Sequence, residues 1–285
     1  MLRRILHMTL ATLLILSVGA WAKAEEDNSA KISQYVDQLL EIVPKDFELL
    51  RNINLIKDAD LTYQQSLTAQ VADLLDCKSK EELRLLLGLY LFDTNYAMIF
   101  NKRKEFQESW ESGFQKTMEK LALYGEAGVA MLPAADLKEI LENPTDLRLR
   151  NILIDDVKRQ VTAILKQARK NPEFLEVVVD EFYGVILEGL YVVCKLSLNE
   201  DLNEKQMVAL FNWLQQYLEG YARMVDVFSG DEYFEEMIKK SQREDVLNPI
   251  HDILKANKGK LSVENVKKVL SIIEPIRNPV VRKCN

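Results

Sequence analysis

Leu85-Leu86-Leu87-Gly88-Leu89-Tyr90-Leu91-Phe92-Asp93-Thr94-Asn95-Tyr96-Ala97-Met98-Ile99-Phe100 holds a single charged residue, Asp93, and no proline. Just before it stands Ser79-Lys80-Glu81-Glu82, a capping box in which a Ser and a Glu three residues later satisfy each other's backbone donors. The spacing predicts a helix from about Lys80 to Phe100 that is apolar on nearly every side, the pattern of a helix buried inside a protein. A second such segment opens at Asn171-Pro172, with Pro at the first helical position, and runs to about Ser197. Two helices apolar all round need other helices to cover them.

The flanking sequence supplies them. Ile32, Tyr35, Val36, Leu39 and Leu40 line one face of a helix expected from Ser29 to Val43, stopped by Pro44. Further helices are expected over 45–57, over 61–76 with Asp60 as cap, over 102–123, and over 136–142. Thr145 is placed to cap a long helix to Lys170. Later ones fall over 203–228, 231–245, 249–257 and 262–277. Runs of alternating β-branched residues are absent, and the connections are short. The expectation is one all-α domain of about a dozen helices. Two packed, similar halves are an option, because Leu87-Gly88-Leu89-Tyr90 is echoed by Glu188-Gly189-Leu190-Tyr191.

The 285 residues are 48% apolar with only ten Gly and seven Pro, enough apolar surface to bury a core and against disorder. A net charge of −7 argues against a nucleic-acid binder. At the N-terminus, Met1-Leu2-Arg3-Arg4 precedes an apolar stretch to Val18, and Ala22-Lys23-Ala24 offers a signal-peptidase site before Glu25. Residues 1–24 therefore read as a signal peptide and 25–285 as an exported helical domain, most simply periplasmic. The apolar stretch is short and interrupted, so stable membrane insertion after cleavage is not expected. Cleavage removes three cations and no acid, taking the net charge to −10 and leaving His251 as the only histidine.

That leaves little for chemistry. Multi-histidine metal sites are excluded, no cofactor motif is present, and neither a cofactor nor a transition metal is expected. Cys77, Cys194 and Cys284 are an odd number, so at least one stays free or bridges between chains; Cys194, within an apolar helix, reads as a buried hydrophobe. The residues out of place are polar ones in the two apolar helices. Tyr90, Asp93 and Tyr96 recur every three residues and share one side. Glu181, Gly184, Glu188, Tyr191 and Lys195 form a narrow polar stripe on the other helix. Two readings stand: solvated face and core hydrogen bond, or two stripes that face one cleft where Tyr90, Asp93, Tyr96, Glu188 and Tyr191 hold a ligand. Gly88 and Gly189 each call for a local contact, because glycine inside a helix costs about 1 kcal/mol relative to Ala. Leu there should overpack and Ala be tolerated.

Gly88-Leu89-Tyr90-Leu91-Phe92-Asp93-Thr94-Asn95-Tyr96-Ala97 resembles the Gly-x-Tyr-x-x-Asp-x-x-Tyr-Ala helix of an uncharacterised family of exported all-helical bacterial proteins. Ile186-Leu187-Glu188-Gly189-Leu190-Tyr191 is similar to that family's second apolar segment, Gly-x-x-x-Glu-x-x-Tyr in character. The resemblance implies an all-helical exported fold and carries no activity. Many family members look like lipoproteins, whereas Glu25, not a cysteine, directly follows Ala24 here.

The expected function is accordingly that of an exported helical module of the cell envelope that binds an unknown small molecule or envelope protein. A hydrolase using Asp93 and Glu188 as a carboxylate pair, or a structural scaffold docking through its aromatic helix 203–228, is the alternative. Export itself is directly measurable: mass spectrometry of the secreted chain should give Glu25 as its first residue, and a retained Met1 would overturn the signal reading.

Overall fold

Side-chain caps start the long helices, and burial decides how they stack. The computed structural model describes residues 29–69, 75–143, 146–199, 202–232, 234–235, 243–256 and 262–284. Residues 1–24, expected to be a signal peptide, and most of the helix expected over 231–245 lie outside the described residues. Among the described residues there is no strand, and about ten helices form one compact domain rather than a dozen.

Helix α1 covers 29–46 and runs straight through Pro44, where it was expected to stop. A 3-10 helix, Phe47–Ile53, then leads into the short α2, Asn54–Asp58. The helix expected over 61–76 does not form in its first half: Asp60 takes a left-handed φ of 55°, and only Gln65–Leu67 makes a 3-10 turn. Helix α3, Lys80–Ile99, begins with the expected box, Ser79 and Glu82 bonding reciprocally. Helix α4 is built of Arg103–Gln107, a π-helical stretch Glu108–Gln115, and Lys116–Lys120.

Helix α5 is Ala134–Glu142, and α6 is Leu147–Ala168, capped by Asp146, while Thr145, expected as the cap, lies outside the described residues. Helix α7 is Glu173–Asn199, and α8, Glu204–Asp226, opens on a second capping box made by Asn203 and Gln206. Helix α9, Arg243–Ala256, contains the Pro249 expected to start it. Helix α10, Val263–Val280, continues beyond Arg277 through Pro279.

Helix α7 lies at the centre, in contact with α3, α6, α8 and α10. Lys80 pairs with Glu173, Arg84 with Asp180, and Phe92 covers Gly189, so α3 and α7 run in the same direction. They approach to backbone contact. A Cβ on Gly88 would collide with the Glu181 carbonyl oxygen and lie 2.6 Å from the Val185 nitrogen. One on Gly184 would collide with the Leu85 carbonyl and lie 3.0 Å from the Gly88 Cα. The glycine facing Gly88 is thus Gly184; Gly189, its partner in the sequence echo, sits instead under the Phe92 ring. On its other side α3 carries the Tyr90 ring against Gly113, at the π-helical stretch of α4.

A disulfide joins Cys77, ahead of α3, to Cys284, after α10, across 207 residues of sequence. By the chain-entropy account a loop of that length restricts the unfolded chain by on the order of 5 kcal/mol. Cys194 is free and buried, and burial pushes its thiol pKa up.

The close crossing revises the expectation that Ala is tolerated at both singled-out glycines. At Gly88 the obstruction is backbone, so Gly88→Ala should cost about 1–3 kcal/mol, as overpacking typically does. At Gly189 the neighbours are a Phe92 ring atom at 3.1 Å and a Leu214 methyl at 3.3 Å, which can shift, so Gly189→Ala should be close to neutral. Thermal unfolding of the two variants checks this, and equal melting would contradict the backbone contact.

Candidate functional site

The polar residues of α3 and α7 meet along the seam that the glycines hold shut. Glu181, Gly184 and Glu188 recur at helical spacing and face α3. Glu181 is 1% exposed, and Asp93 and Glu188 are 0% exposed, so the stripe on α7 is not a solvated face over these positions. Only its far end reaches the rim: Tyr191 is half-buried, and Lys195 pairs with Glu274 of α10 at 2.6 Å.

Glu188 is held by Arg277, which α10 inserts between the helices. Arg277 Nε donates to Glu188 Oε2 and its Nη2 to Oε1, each at 2.5 Å. The same Nη2 donates to the Leu67 carbonyl at 2.8 Å, and the guanidinium lies 3.8 Å from the centre of the Tyr191 ring. Planar two-point pairing and ring stacking are both specific to Arg. Burial works against the charge on Arg277, but Glu188 more than offsets this and its pKa is raised.

Asp93 sits beside this pair. Its Oδ2 accepts from the Ala69 N–H at 2.8 Å, while no donor reaches its Oδ1. Burial, and then the charge of Glu188, push the Asp93 carboxyl well above the ordinary range, with Arg277 and the Ala69 N–H acting the other way. A proton on Asp93 can be donated to Glu188, which lies within hydrogen-bond reach. The cluster then carries one carboxylate, one guanidinium and one neutral acid, so no net charge is buried. The Tyr90 hydroxyl is buried with no hydrogen-bond partner, close enough to Asp93 and Glu188 for both to raise its pKa after burial.

Of the five ligand candidates, the structure brings together Tyr90, Asp93, Glu188 and Tyr191. Tyr96 points elsewhere. Its hydroxyl accepts from the Gln64 N–H at 3.1 Å and donates to the Thr62 carbonyl at 3.3 Å. Together with the Asp93–Ala69 and Arg277–Leu67 bonds, this explains why the helix expected from residue 61 does not start: its backbone groups are bonded to the core instead. What the two stripes line is a closed seam rather than an open cleft.

Sequence reading missed Arg277, although it had a signal. Val266, Leu270, Ile273, Arg277 and Val280 share the buried face of α10, so a charge stands on an apolar stripe. It also missed Arg84, whose Nε donates to Asp180 at 2.6 Å and whose Nη2 lies 2.7 Å from Glu176. His251, the one histidine beyond residue 24, lies apart from the seam. It borders a groove of about 480 Å³ between α8 and α9, with Leu218, Tyr221, Arg223, Asp226 and Leu247. Among the described residues no three His, Cys, Asp or Glu side chains converge as metal ligands. None of the described helices is long and apolar enough to cross a membrane.

No protein-family model matches the chain, and no curated protein or solved structure matches it.

Glu181, a turn before Gly184, has an Oε2 with no partner, and burial raises its pKa from 4.5 to about 8. Asp93 is raised as well. Both acids bind a proton more tightly folded than unfolded, so stability should fall as pH rises from about 4.5 to about 8. Glu181→Gln should melt near wild type at pH 5 and higher than wild type at pH 8. Thermal unfolding across that range checks the sign, and a wild type that gains stability towards pH 8 would contradict it. Arg277→Met, which leaves Glu188 buried without its partner, should cost about 3–5 kcal/mol.

Proposed function

We propose that this chain is an exported binding module of the bacterial cell envelope, with its recognition site at the Asp93–Glu188 seam. The observation that carries the reading is that two carboxylates and an unpartnered tyrosine hydroxyl lie side by side in the core. Buried polar groups are nearly always satisfied, and each unsatisfied one calls for a reason beyond packing. Ligand recognition is such a reason, and Tyr90, Asp93, Glu188 and Tyr191 are the residues that would serve it. Export draws support from the Cys77–Cys284 bridge, since disulfides persist in oxidising compartments and are rare in the cytosol.

The alternatives draw less support. A hydrolytic pair needs both acids free to act, and although Asp93 keeps one oxygen unengaged, both oxygens of Glu188 are taken by Arg277. A scaffold docking through α8 needs its aromatic residues outside. Phe211, Trp213, Tyr217 and Tyr221 are buried, and Trp213 donates to the Leu49 carbonyl.

Asp93→Asn tests the site. The amide can accept from Ala69 and donate to Glu188 as the protonated acid does, so melting should be spared. In a thermal-shift panel of small cations, anions, sugars and amino acids, run on oxidised and on dithiol-reduced protein, the compounds that stabilise wild type should lose their effect in the variant. Stabilisation that survives Asp93→Asn unchanged would place recognition elsewhere.

A further inference from the structure

We infer that the segment from Pro275 to Cys284 is a disulfide-latched strap over the Asp93–Glu188 seam, and that Arg277 occupies the seat of an external guanidinium group. This rests on the binding reading above and names its ligand class and its control.

The strap is mechanically distinct from the helix that carries it. Pro275 and Pro279 both lie inside α10. Each lacks an N–H, so the Ser271 and Pro275 carbonyls lose their helical donors, and a proline ring crowds the preceding turn. A hinge is therefore built in just before Arg277. Val266, Val269, Leu270 and Ile273 anchor the helix upstream of it; beyond Pro275, among the described residues, Arg277 and Val280 are buried, and Ile276 and Val281 pack against the core partly buried. The end of the chain can leave the core without the rest of α10 leaving with it.

Three fastenings hold the strap down: Arg277 on Glu188 and Leu67, Lys78 donating to the Pro279 carbonyl at 2.9 Å, and the Cys77–Cys284 bridge. Cys77 is exposed, so the bridge is open to a dithiol from solvent. Thiol–disulfide exchange delivers two electrons and two protons, leaving two cysteine thiols here and a disulfide on the reductant.

Beneath the strap the lining is that of a guanidinium seat. Glu188 offers both oxygens in plane, Leu67 a carbonyl, Asp93 a second acid, and Tyr191 a ring face 3.8 Å away. Arg277 fills that seat from within. A methylguanidinium ion, an arginine, or an arginine side chain of a partner presents the same planar fork.

Two measurements on the mature protein test the proposal. In hydrogen exchange, reduction by dithiothreitol should speed the amides of 276–284 by roughly tenfold or more while α3 and α7 keep their protection. Exchange that rises along the whole chain, or nowhere, would overturn the strap. The Cys77→Ser, Cys284→Ser double variant should behave as the reduced protein does. In chemical rescue, millimolar methylguanidinium should recover at least half of the melting temperature lost in Arg277→Ala, and none of it when Glu188→Gln is added. Should Arg277→Ala not fold, the rescue is read on the double cysteine variant, where methylguanidinium should raise melting only with Glu188 intact. No response, or one indifferent to Glu188, would remove the guanidinium seat. That failure is distinct from failure of the site itself, which would show as ligand effects that survive Asp93→Asn.

Discussion

Two helices can touch backbone to backbone only where neither carries a side chain, and Gly88 and Gly184 are where α3 and α7 do so. The rest of the architecture follows from that contact. With α3 and α7 drawn together, every residue that faces the seam is removed from water, whatever its chemistry. Leu, Val and Phe gain by this, whereas Asp93, Glu181 and Glu188 are held in a medium that penalises charge.

Arginine is the protein's answer on both sides of the crossing. Arg84 reaches from α3 to Glu176 and Asp180 of α7 below the glycines, and Arg277 arrives from α10 above them. A buried ion pair of this kind adds little net stability compared with a well-packed apolar pair, and its usual benefit is to admit one arrangement and reject others. Here it sets the register of α10, because a turn's slip along α7 would strand both Arg277 and Glu188. Glu181 has no such partner, and its raised pKa is the outcome.

Much of this was legible in the residues, for reasons that differ from place to place. The start of α3 is local chemistry: Ser79 and Glu82 need nothing but each other. The buried character of α3 and α7 follows from composition alone. The segment after Asp60 shows the opposite case. Its helical pattern is real, but its backbone bonds go to Tyr96, Asp93 and Arg277, distant residues that no short window contains. Similarly, Pro44 and Pro249 read as boundaries, yet both lie within helices. The pairing of Gly88 with Gly184 rather than Gly189, and of Cys77 with Cys284, depends on which helices become neighbours. Arg277 was visible as a charge on an apolar stripe, but its partner was not.

The shared direction of α3 and α7 also governs the order in which the molecule can assemble. Antiparallel neighbours only a few residues apart in sequence, such as α7 and α8, meet as soon as both are made. Parallel ones must wait for the intervening chain to travel back, and here it returns by way of α4, α5 and α6. The seam then needs Arg277, which lies 89 residues beyond Glu188 in sequence. Contacts so distant make folding slow relative to helix formation, because loop closure precedes any reward from packing. A chain that emerges from a pore with its N-terminus leading would therefore display finished helices long before a finished core. A chain cut at Pro275 would lack Arg277 and leave Glu188 at the seam without that partner.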